Sequence, residues 1–189
     1  MRNTRVHALV ESAVLFAVAY VLSVLRQFEM PQGGSVTILS MLPLLLIGIR
    51  RGPVWGLSAA FLYGGFQTLP PAGMGIPALF AWTKTPAAFS AALALDYILA
   101  FGVLGLSFLF RRSARALLYA VPVCLTLRFL CHLVSGVVIW SEYAGDMNVW
   151  LYSLIYNGSF MGIELVFTMA AAFALWKTAP RLVTGSYIE

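Results

Sequence analysis

The sequence predicts an all-α integral membrane protein, a bundle of six transmembrane helices with both termini in the cytoplasm. Three observations carry this. Of its 189 residues, 61% are hydrophobic and only 10% charged, whereas a soluble domain is about a quarter charged. Breakers and charges divide the chain into six apolar segments, and a helical span needs about 20 residues. The basic residues fall on alternate connections, which sets an orientation.

The first segment runs from about Val6 to Leu25. Basic residues precede it, but it is as long as a full span and no small-residue cleavage pattern follows, so it reads as a helix rather than a signal peptide. It ends in a polar stretch from Arg26 to Gly34. The second, about Val36 to Ile49, is short, is interrupted by Pro43, and closes at the turn Arg50-Arg51-Gly52-Pro53. The third runs from about Val54 to Leu69 and stops at Pro70-Pro71, and a Gly- and Pro-rich loop with Trp82 and Lys84 follows. The fourth covers Pro86 to Phe110, with proline suited to the first helical turn. The fifth spans about Ala116 to Ile139 and the sixth about Val149 to Trp176. These lengths leave one membrane domain, residues 1–189, and no room for a soluble one.

Nine of the twelve Lys and Arg residues lie at the termini, at Arg50-Arg51 and between Arg111 and Arg115. Only Arg26 and Lys84 lie on the opposite connections, and Arg128 is within a span. The positive-inside rule places the basic side in the cytoplasm. The bias accounts for the net charge of +5 without invoking nucleic acid. The two cysteines, Cys124 and Cys131, sit ~10 Å apart along one helix, too far for a disulfide.

Polar groups in hydrocarbon are costly and face a bundle interior or a site. Asp96, His132 and Asn157 sit roughly ten, seven and eight residues from the outer ends of three different segments, a common depth of ~10–15 Å. Arg128, four residues before His132 on the same face, lies deeper, near the levels of Glu11 and Glu164. A structural ion pair with one of those carboxylates is its expected role. Tyr97, Trp140, Tyr143, Trp150, Tyr152 and Tyr156 rim the outer side, with Trp82 on the preceding loop. Trp140 follows His132 by two helical turns and stands above it. A carboxylate beneath aromatic faces suits an organic cation. Ala13 and Ala17 form a small-xxx-small pair on the first helix, suited to close helix approach.

Several chemistries are not encoded. No G-x-x-x-x-G-K-[ST] is present for ATP, no H-E-x-x-H or Cys/His cluster for a metal, and no nucleophile–base pairing for catalysis. No cofactor is implied. Asn157-Gly158-Ser159 has the form of a glycosylation sequon but lies inside a span.

The strings GGSVTILSMLPLLLIGIRRG (33–52), LDYILAFGVLG (95–105), RFLCHLVSGVVIWSEYA (128–144) and YSLIYNGSFMGIE (152–164) resemble the thiamine-specific substrate-binding (S) component of energy-coupling factor (ECF) transporters. The resemblance extends from the first helix to the sixth. It implies a six-helix protein of the bacterial plasma membrane that captures thiamine at its outer face. It further implies a separate transmembrane coupling subunit and two cytoplasmic ATPases as partners. By position, the family's acidic-Tyr pair falls on Asp96-Tyr97, with Asp where some members have Glu. Its pocket histidine falls on His132, its stacking tryptophan on Trp140, and its aminopyrimidine-binding Tyr and Asn on Tyr152 and Asn157. Its alanine docking motif falls on Ala13 and Ala17. Some members carry a tryptophan where this chain has Gly34, and a tyrosine where it has Pro86, leaving Trp82 or Tyr63 to take that place. On this reading Asp96 offsets the thiazolium, Trp140 stacks on it, and His132, Tyr152 and Asn157 meet the aminopyrimidine. The loop at Gly33-Gly34 is a candidate lid. The residues alone leave two alternatives open: an S component for another vitamin or a thiamine precursor, and a stand-alone carrier that uses Asp96 and Glu164 as protonatable groups.

Overall fold

The computed structural model describes residues 4–30 and 34–184. Helix α1 covers Thr4–Val24. A two-stranded antiparallel hairpin follows, β1 (Phe28–Glu29) against β2 (Ser35–Val36), with Phe28 opposite Val36 and Glu29 opposite Ser35. Next come α2 (Leu42–Arg51) and α3 (Pro53–Phe66), then a short α4 (Ile76–Thr83). Three long helices complete the bundle: α5 (Pro86–Phe110), α6 (Ala116–Val138) and α7 (Val149–Thr178), with α8 (Pro180–Thr184) at the end. Among the described residues, four helices are long and apolar enough to cross a membrane: α1, α5, α6 and α7.

Local chemistry sets the boundaries. Thr85 caps α5, its hydroxyl accepting from the Ala88 amide, with Pro86 in the first turn. Asn148 caps α7, its side-chain oxygen accepting from the Trp150 and Leu151 amides. Gly52, at φ +85°, lets α2 turn directly into α3.

Two expectations are corrected. The second apolar segment is not helical from Val36: it enters as the end of β2 and a turn over 38–41, and the helix begins only at Leu42. The reason is a partner for the backbone, since the Gln27 amide donates to the Val36 carbonyl and the Thr37 amide to the Glu164 carboxylate. The loop before Lys84 contains a helix, α4, whose Pro77 sits in the first turn and whose end is closed by Lys84 in the left-handed conformation.

Helix α2 is central and buried on nearly all sides, as a helix apolar all round must be. Ser107 on α5 donates to the Leu45 carbonyl of α2. The Tyr63 hydroxyl of α3 donates to the Ala19 carbonyl of α1, and Gln67 reaches Ser23. Helix α5 is irregular where this matters most: Leu93–Leu99 forms a π-helical turn and Val103–Phe110 a 3₁₀ stretch. Both are uncommon at these lengths, and π turns recur at functional sites. Gly64 of α3 lies against the π turn so closely that a Cβ there would come 2.6 Å from the Tyr97 carbonyl oxygen.

Candidate functional site: an aromatic-walled cavity around Asp96

A cavity of about 340 Å³ opens between the hairpin, α3, α4 and the three long helices. The π turn of α5 delivers Asp96 and Tyr97 to it. One face of α6, spaced by three and four residues, delivers Arg128, His132 and Gly136, with Trp140 just past the helix end. Helix α7 delivers Tyr152, Tyr156, Asn157 and Phe160. All six residues expected at a ligand pocket, Asp96, Tyr97, His132, Trp140, Tyr152 and Asn157, therefore line one cavity.

The Asp96 carboxylate is the hub. Its Oδ1 lies 3.0 Å from His132 Nδ1, and its Oδ2 accepts from the Ser135 hydroxyl at 2.6 Å and the Trp140 indole N–H at 3.0 Å. The Asn157 amide nitrogen donates to the His132 and Ser153 carbonyls at 3.2 and 3.1 Å. That leaves its side-chain oxygen as the atom able to accept from a ligand. Gly136 permits this approach, because a Cβ there would lie 3.1 Å from Asn157 Nδ2.

Aromatic rings form the walls. Tyr152 and Tyr156 stack with centroids 5.7 Å apart, and Phe160 meets the His132 ring edge-on at 5.9 Å. At the mouth, Tyr143 stands between Trp82 and Trp140, at 5.8 and 6.1 Å. Lys84 bonds both oxygens of Glu142 across the same opening, at 2.8 and 2.7 Å. That hydrogen bond raises Lys84 above the usual lysine range and holds Glu142 below the usual carboxylate range. On the hairpin side, Arg26 donates to Glu29 and to the Pro71 carbonyl.

The expected ion pairing of Arg128 is corrected. Glu11 pairs instead with Arg50 and Arg51 at the other end of the bundle. Glu164 accepts from the Thr37 amide and hydroxyl, at 2.5 and 2.8 Å. Arg128 lines the cavity with no carboxylate in ion-pairing range among the described residues. Its Nη1 lies 2.6 Å from Met41 Sδ, its guanidinium sits 4.1 Å over the Phe101 ring, and its Nε lies 3.4 Å from His132 Nε2. His132, engaged at both ring nitrogens, orients Asp96 rather than offering a free edge. Sequence reasoning did not single out Ser135, Arg26 or Gln67. Ser135 carried one signal, its position three residues after His132.

The residue at 34 has a physical reason to be glycine. Its φ is +84°, and a Cβ there would come 2.9 Å from the Phe160 ring. Gly33 lies outside the described residues. Of the two expected stand-ins for missing aromatics, Trp82 and Tyr63 both line the cavity, but Tyr63 has its hydroxyl committed to Ala19. Ala13 and Ala17 are exposed on α1.

Residues 9–184 match the family described as thiamine transporter protein (Thia_YuaJ). The chain belongs to this family. It is 34% identical to the thiamine transporter ThiT of Bacillus subtilis, with 93% of each chain covered. It is 30% identical to ThiT of Lacticaseibacillus paracasei, covering 75% of this chain and 73% of that one. The solved structure of ThiT from Listeria monocytogenes superposes with a TM-score of 0.73 at 26% identity, covering 96% and 99%. Family membership and the long apolar helices together make this a multi-pass protein of the plasma membrane.

Proposed function

We propose that this protein captures thiamine at the outer membrane face, as the substrate-binding component of an ECF transporter. The observation that carries the reading is the Asp96 carboxylate, held by His132, Ser135 and Trp140 inside an aromatic-walled cavity. Thiamine joins a permanently cationic thiazolium to a neutral aminopyrimidine. A carboxylate in a low-dielectric pocket attracts the first strongly, and aromatic faces add cation–π attraction. Trp140, its indole fixed by the bond to Asp96, supplies such a face beside the charge. Tyr152 and the free Asn157 oxygen receive the aminopyrimidine, whose amino group needs an acceptor once dry.

The chain works as one six-span domain. α2 and α3, with 10 and 14 residues, cover only ~15 and ~21 Å of a hydrocarbon layer about 30 Å thick. Non-helical chain from Val36 to Met41, the end of β2 and a turn, completes the second crossing. Irregular backbone is tolerated at that depth only inside protein, and the Thr37 amide meets the requirement through Glu164. The arginine-rich end of the bundle faces the cytoplasm. Midway along α1, Ala13 and Ala17 on its exposed side dock the coupling subunit, and two ATPases on the cytoplasmic side supply the energy.

Titration of detergent-purified protein with thiamine, followed by tryptophan fluorescence and melting temperature, tests the reading. Quenching and stabilisation at saturation are expected, since Trp140 and Trp82 line the cavity and a ligand bound only to the folded state raises its stability. Saturating thiamine that leaves both signals unchanged rejects the assignment.

A further inference from the structure

Two contacts on opposite edges of one imidazole determine its charge as well as its place. Arg128 Nε lies 3.4 Å from His132 Nε2. A guanidinium has only N–H donors, so His132 Nε2 accepts. A neutral imidazole that accepts at one nitrogen carries its proton on the other. The proton therefore sits on Nδ1 and points at Asp96 Oδ1, 3.0 Å away. The other donors to Asp96, the Ser135 hydroxyl and the Trp140 indole N–H, are also neutral.

We infer that Arg128 is a positioning residue that holds His132 as the neutral Nδ1–H tautomer, so that Asp96 presents an uncancelled negative charge to a cationic ligand. The inference rests on the reading of this cavity as a thiamine site. An imidazolium has no acceptor nitrogen, so protonation of His132 and its bond from Arg128 exclude each other. A protonated His132 would form a neutral pair with Asp96 and set a second cation beside the bound thiazolium.

The surroundings give Arg128 the rigidity the task requires. It is buried, clamped between the Met41 sulfur and the Phe101 ring, and its partners there are neutral. The charged groups facing His132 are Asp96 from α5 and Arg128 from its own helix. From α7 the Phe160 ring meets the imidazole edge-on, and the Asn157 amide donates to the His132 carbonyl.

Nitrogen-15 NMR of the histidine-labelled wild-type protein reads the tautomer directly. The chain has two histidines, and a His7→Gln variant assigns the signals. Nδ1 protonated with Nε2 bare is expected across neutral pH; an Nε2–H tautomer or an imidazolium overturns the inference. The second measurement is the pH profile of thiamine affinity in wild type, Arg128→Met and Arg128→Lys. Wild type is expected to be flat. Arg128→Met, which keeps volume but offers no donor, is expected to bind more weakly at about pH 6 than at about pH 8, because losing the donor frees Nε2 to take a proton. Arg128→Lys restores the flat profile through its ammonium donors. An Arg128→Met profile as flat as wild type overturns the inference. If wild type fails to bind thiamine at any pH, the functional reading falls, while the NMR result still decides the tautomer. If Arg128→Met does not fold, the wild-type NMR alone decides.

Discussion

Replacing Asp96 with Asn keeps the side chain's shape and removes its charge, while His132, Ser135 and Trp140 remain as donors. One amide oxygen then faces three donors, and the thiazolium loses its counter-charge. Losing one partner of a buried charge pair costs about 2–5 kcal/mol, so thiamine affinity is expected to fall by a factor of ~30 or more. A neutral thiamine analogue should lose less, and calorimetric titration of both separates the cases: equal losses would assign Asp96 a structural role. Trp140→Phe keeps a ring but deletes one donor to Asp96, and the expected loss is smaller, near the ~1.5–3 kcal/mol of a hydrogen bond to a charged group. Asp96, His132, Trp140 and Asn157 were legible in the sequence because polar and aromatic groups stand out against apolar runs and their depth can be counted at 1.5 Å per residue. Ser135 was not, because serine is unremarkable in a helix until a partner is known. Counting also gives height along an axis but not rotation about it. That is why Arg128 matched Glu11 and Glu164 in depth and yet meets Met41 and Phe101 instead.

Asp96 and Tyr97 owe their direction to the π turn, and the π turn leans on α3. Gly64 does not line the cavity, yet a Cβ there would press on the Tyr97 carbonyl, whereas one at Gly65 would meet nothing within 4 Å. Gly64→Ala is therefore expected to lower stability by about 1–3 kcal/mol, the usual cost of overpacking, and to weaken thiamine binding by displacing Asp96. Gly65→Ala, one residue on, should change neither, and melting curves with thiamine titrations compare the pair. No sequence pattern announces a π turn; LDYILAF reads as ordinary helix, and only the close approach of a neighbouring backbone reveals it. The hairpin is a second case. Val36 opens the second apolar segment, and its strand partner Phe28 lies in a stretch that reads as polar loop. The hairpin is tied to α7 through Thr37 and Glu164, with Thr37 Oγ1 also 2.6 Å from Ser40 Oγ. Thr37→Val keeps the shape and the amide bond but deletes the hydroxyl. A loss of about 1–3 kcal/mol is expected, with faster thiamine release in stopped-flow fluorescence if the hairpin is the lid. An unchanged release rate would place the lid elsewhere.

Across the whole molecule the charges sort by end. Arg50 bonds Glu11 and the Leu182 carbonyl, Arg115 lies over Trp176 at 5.5 Å, and Lys177 lies over the same ring at 4.6 Å. The opposite end carries the cavity mouth and the exposed Lys84–Glu142 pair. If the positive-inside rule holds, a cysteine placed at Glu142 in a cysteine-free background will react with an impermeant maleimide in intact cells, and one placed at Arg112 only after lysis; the reverse pattern would invert the topology. The same polarity bears on transport. Beneath the cavity, Met41 and, on α2, Leu44, Leu45 and Ile47 fill the bundle, none exposed beyond 1%, so no polar path leads from Asp96 to the basic end through that helix. Passage needs a reorientation of the bundle, and the sequence holds no phosphate-binding loop to drive one. The lone protein reconstituted in liposomes should therefore bind thiamine but accumulate none, with or without a pH gradient. Accumulation driven by a pH gradient would instead make Asp96 and Glu164 proton carriers, because Glu164 is buried with one carboxylate oxygen lacking a hydrogen-bond partner. Testing Glu164→Gln in the same liposomes separates these outcomes: it should leave a binding-only protein's thiamine capture largely intact and abolish uptake in a proton-coupled carrier.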